Sequence, residues 1–263
     1  MTDDAAMIAR RSEWGHEEVA RLEASVRSRA LNPRAEDDAE VEAEFRRSLS
    51  ESFPADAVLG EEIETAPAGG GWSGEGWVID PIDGTTNYRL GVPYYAIAVA
   101  RFSESRVVES WVVDPAGGQR WHTSEGNGVS TSARPVTGEW ARLVCLPHRL
   151  GPRFPEWARA VGRRYKGRSF GAVALEMAWV AHGRLAGGVW LDARIWDIAA
   201  ASLLVREAGF RLLTLDDLGN TEFAAAGEGL RERRYTVVAG RDDAVFDHLA
   251  GFVASENDRK SEG

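Results

Sequence analysis

Residues 77–88, Trp-Val-Ile-Asp-Pro-Ile-Asp-Gly-Thr-Thr-Asn-Tyr, constrain this chain more than any other stretch. An apolar run ends on Asp80, Pro81 stiffens the next turn, and a second acid arrives at Asp83 before Gly84, Thr85 and Thr86. Two carboxylates three residues apart at the end of a buried strand ask for a partner. In an extended-to-turn segment Asp80 and Asp83 can converge, with the Ile82 carbonyl on the same side, which makes a hard-oxygen site of the kind magnesium takes. Thr85-Thr86 would then begin a helix, whose free N–H groups and positive dipole end suit a phosphate. The plainer reading is turn chemistry, with Asp83 capping the next helix and Gly84 allowing a tight bend.

Two other acidic ends weigh against turn chemistry alone. Gly60-Glu61-Glu62 closes a short strand-like run, and Trp196-Asp197 opens the apolar segment Trp-Asp-Ile-Ala-Ala-Ala-Ser-Leu-Leu-Val-Arg-Glu-Ala-Gly. Asp197 alone would read as a helix cap. Three such ends in one chain ask for a shared purpose.

Around them the pattern is mixed. Helical spacing predicts helices over 14–30 and 38–50, and strands come at 57–60, 94–101, 107–113 and 119–122. The glycine-rich stretch 66–76 and the segment 123–138 read as loops. The second half alternates: strand 143–146, helices 156–163 and 171–182, strand 185–191, helix 197–208, strands 210–215 and 235–239, and a closing helix 243–253. That order predicts an α/β (α+β) protein of packed layers.

Composition narrows the partners. With 41 acidic against 31 basic residues the net charge is −10, and no basic stripe offers a nucleic-acid footprint. Arg163-Arg164 and Arg231–Arg234 read as solvated faces. A single cysteine, Cys145, precludes a disulfide within the chain. With no apolar leader at the N-terminus and no run of about 18 apolar residues, the expectation is a cytoplasmic protein with no membrane partner.

The stretches Trp-Val-Ile-Asp-Pro-Ile-Asp-Gly-Thr-Thr-Asn-Tyr, Ile-Trp-Asp-Ile-Ala-Ala-Ala-Ser-Leu-Leu-Val-Arg-Glu-Ala-Gly and Val-Leu-Gly-Glu-Glu together resemble the signatures of the inositol monophosphatase-like, magnesium-dependent phosphatases. The resemblance implies a layered αβαβα sandwich of the sugar-phosphatase type. It implies one phosphatase domain over 1–263, with an N-terminal lobe of about 1–138 carrying most metal ligands and a C-terminal lobe of about 139–263 carrying Asp197 and the substrate-selecting segment. It implies a magnesium-dependent phosphomonoesterase for a small phosphorylated cyclitol or sugar, and a homodimer. By resemblance Glu61, Asp80 and the Ile82 carbonyl hold one Mg2+, Asp80, Asp83 and Asp197 a second, and Glu61 with Glu62 nearby a third, weaker one. The N–H groups of Gly84 and Thr85 bind phosphate. Thr85 pairs with an upstream acid to orient the attacking water; counting back from Glu61 gives Asp38, with Asp37 or Glu36 as alternatives.

The substrate side departs from that pattern. Gly171 is followed by Ala172 where the inositol enzymes carry Ser or Thr, and Trp190 stands where they carry a hydroxyl-binding Glu. Trp190 either stacks on substrate or fills the core; Asp192 and Arg194 are the nearby polar candidates, and Arg194 would suit a second anionic group. Histidinol phosphate, fructose 1,6-bisphosphate and 3′-phosphonucleotides therefore stay open as substrates, as does a regulatory protein on this fold. His122 and His148 lack sequence neighbours at ligand spacing and read as structural, and Glu176 is either buried and paired or part of the site.

Overall fold

The computed structural model describes residues 3–63, 74–134, 142–147, 154–216 and 229–251. Helix α1 (Asp3–Arg29) and α2 (Asp37–Ser52) lead into β1 (Ala57–Gly60), β2 (Glu75–Asp83) and the short α3 (Thr85–Arg89). Strands β3 (Ala96–Ser103), β4 (Arg106–Asp114), β5 (Gln119–Ser124) and β6 (Val129–Thr131) complete a six-stranded sheet in sequential order, in which only β1 runs parallel to its neighbour. The second sheet contains β7 (Leu143–Cys145), β8 (Lys166–Arg168), β9 (Gly187–Ala193), β10 (Arg211–Asp216) and β11 (Tyr235–Gly240), in the order β10-β11-β9-β7-β8. Its helices are α4 (Pro155–Arg164), α5 (Val173–Ala181), α6 (Ile195–Glu207) and α7, described over 243–251.

These elements stack in five layers. On α1, Val19, Leu22 and Val26 recur at helical spacing; on α2, Val41, Phe45 and Leu49 do the same. Both stripes pack on the first sheet with Trp77, Ile79, Ile97 and Trp111. The opposite face of that sheet, with Val78, Ala98 and Val112, packs on α5 and α6, which in turn meet Trp190 and Val237 of the second sheet. Val144, Val189 and Val238 face outward from the second sheet onto α4 and α7 through Val161, Val245 and Leu249. Strand β2 lies between two helical layers, so its apolar run is continuous rather than alternating.

The predicted elements differ from the structure at their ends and in two short strands. Helix α1 begins at Asp3, well before 14, because its first turns are exposed helix-forming residues without an apolar stripe, and Arg11 anchors them to Asp56 at 2.6 Å. The segment read as loop from 123 contains β6, and β8 lies in a stretch assigned no structure; both are three residues long, largely exposed, and held by pairing with a neighbouring strand. Helix α5 starts at Val173, leaving Gly171 and Ala172 ahead of it. Residues 66–73 of the glycine-rich stretch, 135–138 of the predicted loop, His148, and 252–253 of the closing helix lie outside the described residues.

Candidate active site

Strands β1 and β2 pair in parallel with Gly60 opposite Ile79, so Glu61 and Asp80 leave the same edge of the sheet together. Between Asp80 and Asp83 the pairing with β3 slips by one residue, a bulge that Pro81 fits because it has no N–H to offer the ladder. Asp80 Oδ1 turns back to accept the Ile82 N–H at 3.1 Å. Gly84 then takes a left-handed φ of +89°, and a Cβ there would sit 3.0 Å from the Ala172 Cβ and the Gly171 carbonyl.

Asp83 reaches across to the start of α5. Its Oδ1 accepts the Val173 N–H at 2.9 Å, and its Oδ2 accepts those of Ala174 at 2.7 Å and Leu175 at 3.3 Å. These are donors a helix start leaves unpaired. Asp197 lies in the first turn of α6, where its Oδ2 accepts the Arg194 N–H at 2.7 Å, the acidic half of a capping box. Thr85 Oγ1 has one hydrogen and two acceptors in reach, Asp38 Oδ2 at 3.0 Å and the Ile82 carbonyl at 3.1 Å. Asp38 Oδ1 is buried without a hydrogen-bond partner. Asp37, the alternative acid, is occupied elsewhere, accepting from Tyr88 Oη at 2.8 Å and from the Arg34 N–H.

The acids feel one another. Burial, and then the charges of Asp197 and Asp38, push Glu61 up to about 8. Asp80 is raised well above the carboxylate range by burial and by Glu61, Asp83 and Asp197; Asp83 is raised by burial, Asp197 and Glu176. Burial lifts Asp197 to about 6 against the pull of Arg194 and Arg234, and lifts Asp38 to about 7 against the Thr85 hydrogen bond. Burial is the largest cause in each case; the repulsion of Glu61 by Asp197 and Asp38, and of Asp80 by Glu61, Asp83, Asp197 and Asp38, places the five carboxylates in one electrostatic neighbourhood. No three of them place an oxygen each within 4.8 Å of one another, so they are gathered but not closed into a single shell. The donor set is all oxygen, with no thiolate or imidazole, and so fits a hard cation such as magnesium.

The Glu61 turn is clamped from two sides. Glu42, fully buried, accepts the N–H groups of Glu62 at 2.7 Å and Ile63 at 3.2 Å. A Cβ on Gly60 would overlap that carboxylate, so the glycine is a packing requirement. Arg46 binds Glu42 and donates to the Ile63 carbonyl at 3.0 Å. From the other half of the chain, Arg231 donates to the carbonyls of Gly60 at 2.5 Å and Glu61, with its guanidinium over the Trp196 ring. The reading of Arg231–Arg234 as a solvated face is thus corrected for Arg231. Its partners are backbone carbonyls far away in sequence, which no local pattern announces.

A cleft of about 570 Å3 opens here, lined by Glu61, Glu62, Asp192, Arg194, Trp196, Asp197, Arg231, Glu232 and Arg234. Asp192 stands in a bulge of β9 with a left-handed φ of +58°; bulges commonly re-aim side chains beside sites. Arg194 also lines the cleft, but its Nη1 is spent on the Arg231 and Glu232 carbonyls at 3.0 and 2.7 Å. Trp190 is 4% exposed and is absent from the cleft lining. Its indole N–H donates to Glu176 Oε2 at 2.6 Å, while Glu176 Oε1 accepts the N–H groups of Phe170 and Gly171 at 2.7 and 2.9 Å. Of the two readings of Trp190, its position is that of a core residue, and Glu176 is buried and paired. Ala172 is fully buried as well.

The model of the inositol monophosphatase family matches residues 3–239. A protein named Nus factor SuhB from Pseudomonas aeruginosa is 34% identical over 213 residues, covering 72% of this chain and 74% of its own. A histidinol-phosphatase from Mycobacterium tuberculosis is 32% identical over 211 residues, covering 74% of this chain and 79% of its own. The crystal structure of inositol monophosphatase-II from Staphylococcus aureus superposes with a TM-score of 0.74 at 19% identity, over 92% of this chain and 96% of that one. At that identity the likeness is one of fold.

Proposed function

This chain belongs to the inositol monophosphatase family, and from that premise we propose that it is a magnesium-dependent phosphomonoesterase acting on a small phosphorylated cyclitol or sugar. The observation that carries the reading is the gathering of Asp38, Glu61, Asp80, Asp83 and Asp197, from both halves of the chain, into one coupled group of carboxylates. Such a group is electrostatically costly unless cations occupy it.

In this reading Glu61, Asp80 and the Ile82 carbonyl hold one ion, Asp80, Asp83 and Asp197 a second, and Glu61 a third. Bound magnesium neutralises phosphoryl oxygens, lowers the pKa of bound water and stabilises the leaving alkoxide. The chain's own residues do the rest. Of the two acceptors in its reach, the Thr85 hydroxyl would give its hydrogen to Asp38, which leaves a lone pair to orient the attacking water towards phosphorus. The N–H groups of Gly84 and Thr85 receive the phosphate. No covalent enzyme intermediate forms: the water oxygen bonds to phosphorus as the P–O ester bond breaks, one of the water's protons ending on the leaving alkoxide and the other on the phosphate.

For the substrate walls, Asp192 is the carboxylate placed to receive hydroxyl or amino groups, with Arg194 fixing the segment behind it. Trp190 and Ala172 shape the site from the core, and Gly171 gives the turn that Glu176 holds. The alternatives are histidinol phosphate, fructose 1,6-bisphosphate or a 3′-phosphonucleotide as substrate, and a non-catalytic regulatory role, to which the name of the P. aeruginosa relative points. The presence of all four proposed acidic ligands, Glu61, Asp80, Asp83 and Asp197, speaks for catalysis. The test is phosphate release from inositol 1-phosphate and these other phosphates, with and without Mg2+, with Asp80→Asn as control. Magnesium-dependent release lost in the variant is expected; silence across the panel from folded protein would overturn the enzymatic reading.

A further inference from the structure

Away from the cleft, His16 of α1, Glu109 of β4 and His122 of β5 each place a potential ligand atom within 4.8 Å of the other two. No other trio of His, Cys, Asp or Glu among the described residues is as close. We propose that these three residues bind a divalent transition-metal ion of the zinc class, pinning α1 to the first sheet.

Several features of the surroundings carry this. The His122 Nε2 and Glu109 Oε1 are 3.0 Å apart, near the separation of about 3.3 Å that two ligands with zinc bonds of about 2.0–2.1 Å span in a tetrahedron. The rings of His16 and His122 have centroids 4.3 Å apart, so a nitrogen of each can reach one ion. Gly15 lets α1 come this near, since a Cβ there would run into the Trp111 ring. Glu109 is 2% exposed and its carboxylate is oriented by Ser12 Oγ at 2.6 Å and Arg101 Nε at 3.3 Å; such outer partners fix a ligand's direction. His16 is exposed, leaving one side open to a water as fourth ligand.

The protonation states agree. Burial and the neighbouring His122 push His16 towards the neutral form that a metal ligand takes, against the pull of Glu109. Burial pushes Glu109 up, but hydrogen bonds from His122 and Ser12 and the Arg101 charge outweigh it and keep the carboxyl ionised. The ion takes the place of two hydrogen bonds, His122 to Glu109 and the 3.2 Å bond from Trp111 Nε1 to His16 Nδ1. Two imidazoles and a carboxylate select zinc, nickel or copper over magnesium, so this site and the acidic cleft are chemically distinct. Cys145 does not compete, since burial holds its thiol in the protonated form.

The experiment is calorimetric titration of the full-length chain with ZnCl2 under excess MgCl2, on the wild type, His16→Ala, His122→Ala and Asp80→Asn. One equivalent of Zn2+ is expected in the wild type and in Asp80→Asn. Either histidine variant should weaken it by more than about 100-fold, beyond the 10–100-fold seen for lost outer-shell partners. Zinc should raise the melting temperature of the wild type and of neither histidine variant. His16 is exposed, so its truncation leaves the fold intact even if that of His122 does not. Zinc binding unchanged in His16→Ala, or lost in Asp80→Asn, overturns the site.

Discussion

Arg231 donates to the backbone carbonyl of Glu61, 170 residues away in sequence. Because the guanidinium also lies over Trp196, next to Asp197, one side chain spans both halves of the acidic group. Arg231→Ala should raise the Mg2+ concentration for half-maximal activity about tenfold, the equivalent of about 1.4 kcal/mol, with a smaller fall in kcat at saturating Mg2+. Arg231→Lys, which keeps the charge but not the fork, should recover only part of the loss. Mg2+ titrations of the initial rate decide between this and a simple loss of stability, which would lower kcat and leave the midpoint in place.

Asp80 and Asp83 should separate when each becomes asparagine. In Asp80→Asn the amide keeps an oxygen to accept the Ile82 N–H and stays neutral beside Glu61, Asp83 and Asp197 without having to bind a proton, so this variant should lose activity while gaining stability in the absence of metal. Asp83 receives N–H groups on both oxygens, and an amide would turn an NH2 towards one of them. Asp83→Asn should therefore lose activity and also about 1–3 kcal/mol of stability. Thermal melts in EDTA beside rate assays give the comparison.

The raised carboxyls set a pH dependence with a definite sign. Asp197 at about 6, Asp38 at about 7 and Glu61 at about 8 all exceed ordinary carboxyl values. Between those ordinary values and the folded-state values the folded protein holds more protons than the unfolded chain, so its stability falls as pH rises. Metal-free protein should melt at progressively lower temperature from pH 5 to pH 8. Mg2+ competes with those protons, so its stabilising effect should grow over the same range. Melting curves with EDTA and with Mg2+ at pH 5, 6.5 and 8 would show the two trends diverging.

Glu176 accepts three N–H groups from Phe170, Gly171 and Trp190. Glu176→Gln would aim a donor at one of them and should cost about 1–3 kcal/mol. Trp190→Phe keeps the ring in the core and drops its N–H, and should lower the melting temperature while leaving KM nearly unchanged, because the ring does not line the cleft. A rise in KM of tenfold or more in Trp190→Phe would return this residue to the substrate wall.

The acidic strand and helix ends were legible because each is a local event: an apolar run stops, a carboxylate comes next, and a proline, glycine or helix start fixes its direction. The layers emerged from periodicity for the same reason. What stayed hidden depends on partners distant in the chain. Arg231 read as part of a solvated face, and nothing local marks Glu42, until the fold puts both on the Glu61 turn. Glu109 and His122 face each other only because β4 and β5 pair with Trp111 opposite His122, and His16 comes from a helix packed over them. The strands β6 and β8 have too few apolar residues to show a period at all.

The parallel register of β1 and β2 separates what this chain can vary from what it cannot. Gly60 opposite Ile79 is what makes Glu61 and Asp80 neighbours, and sliding either strand by one residue would turn the wrong acid towards the site. The cleft wall, by contrast, hangs on the bulge at Asp192 and on the stretch around Arg231, within and beside the other sheet. The cleft wall can therefore change on one sheet while the other keeps Glu61 and Asp80 aligned.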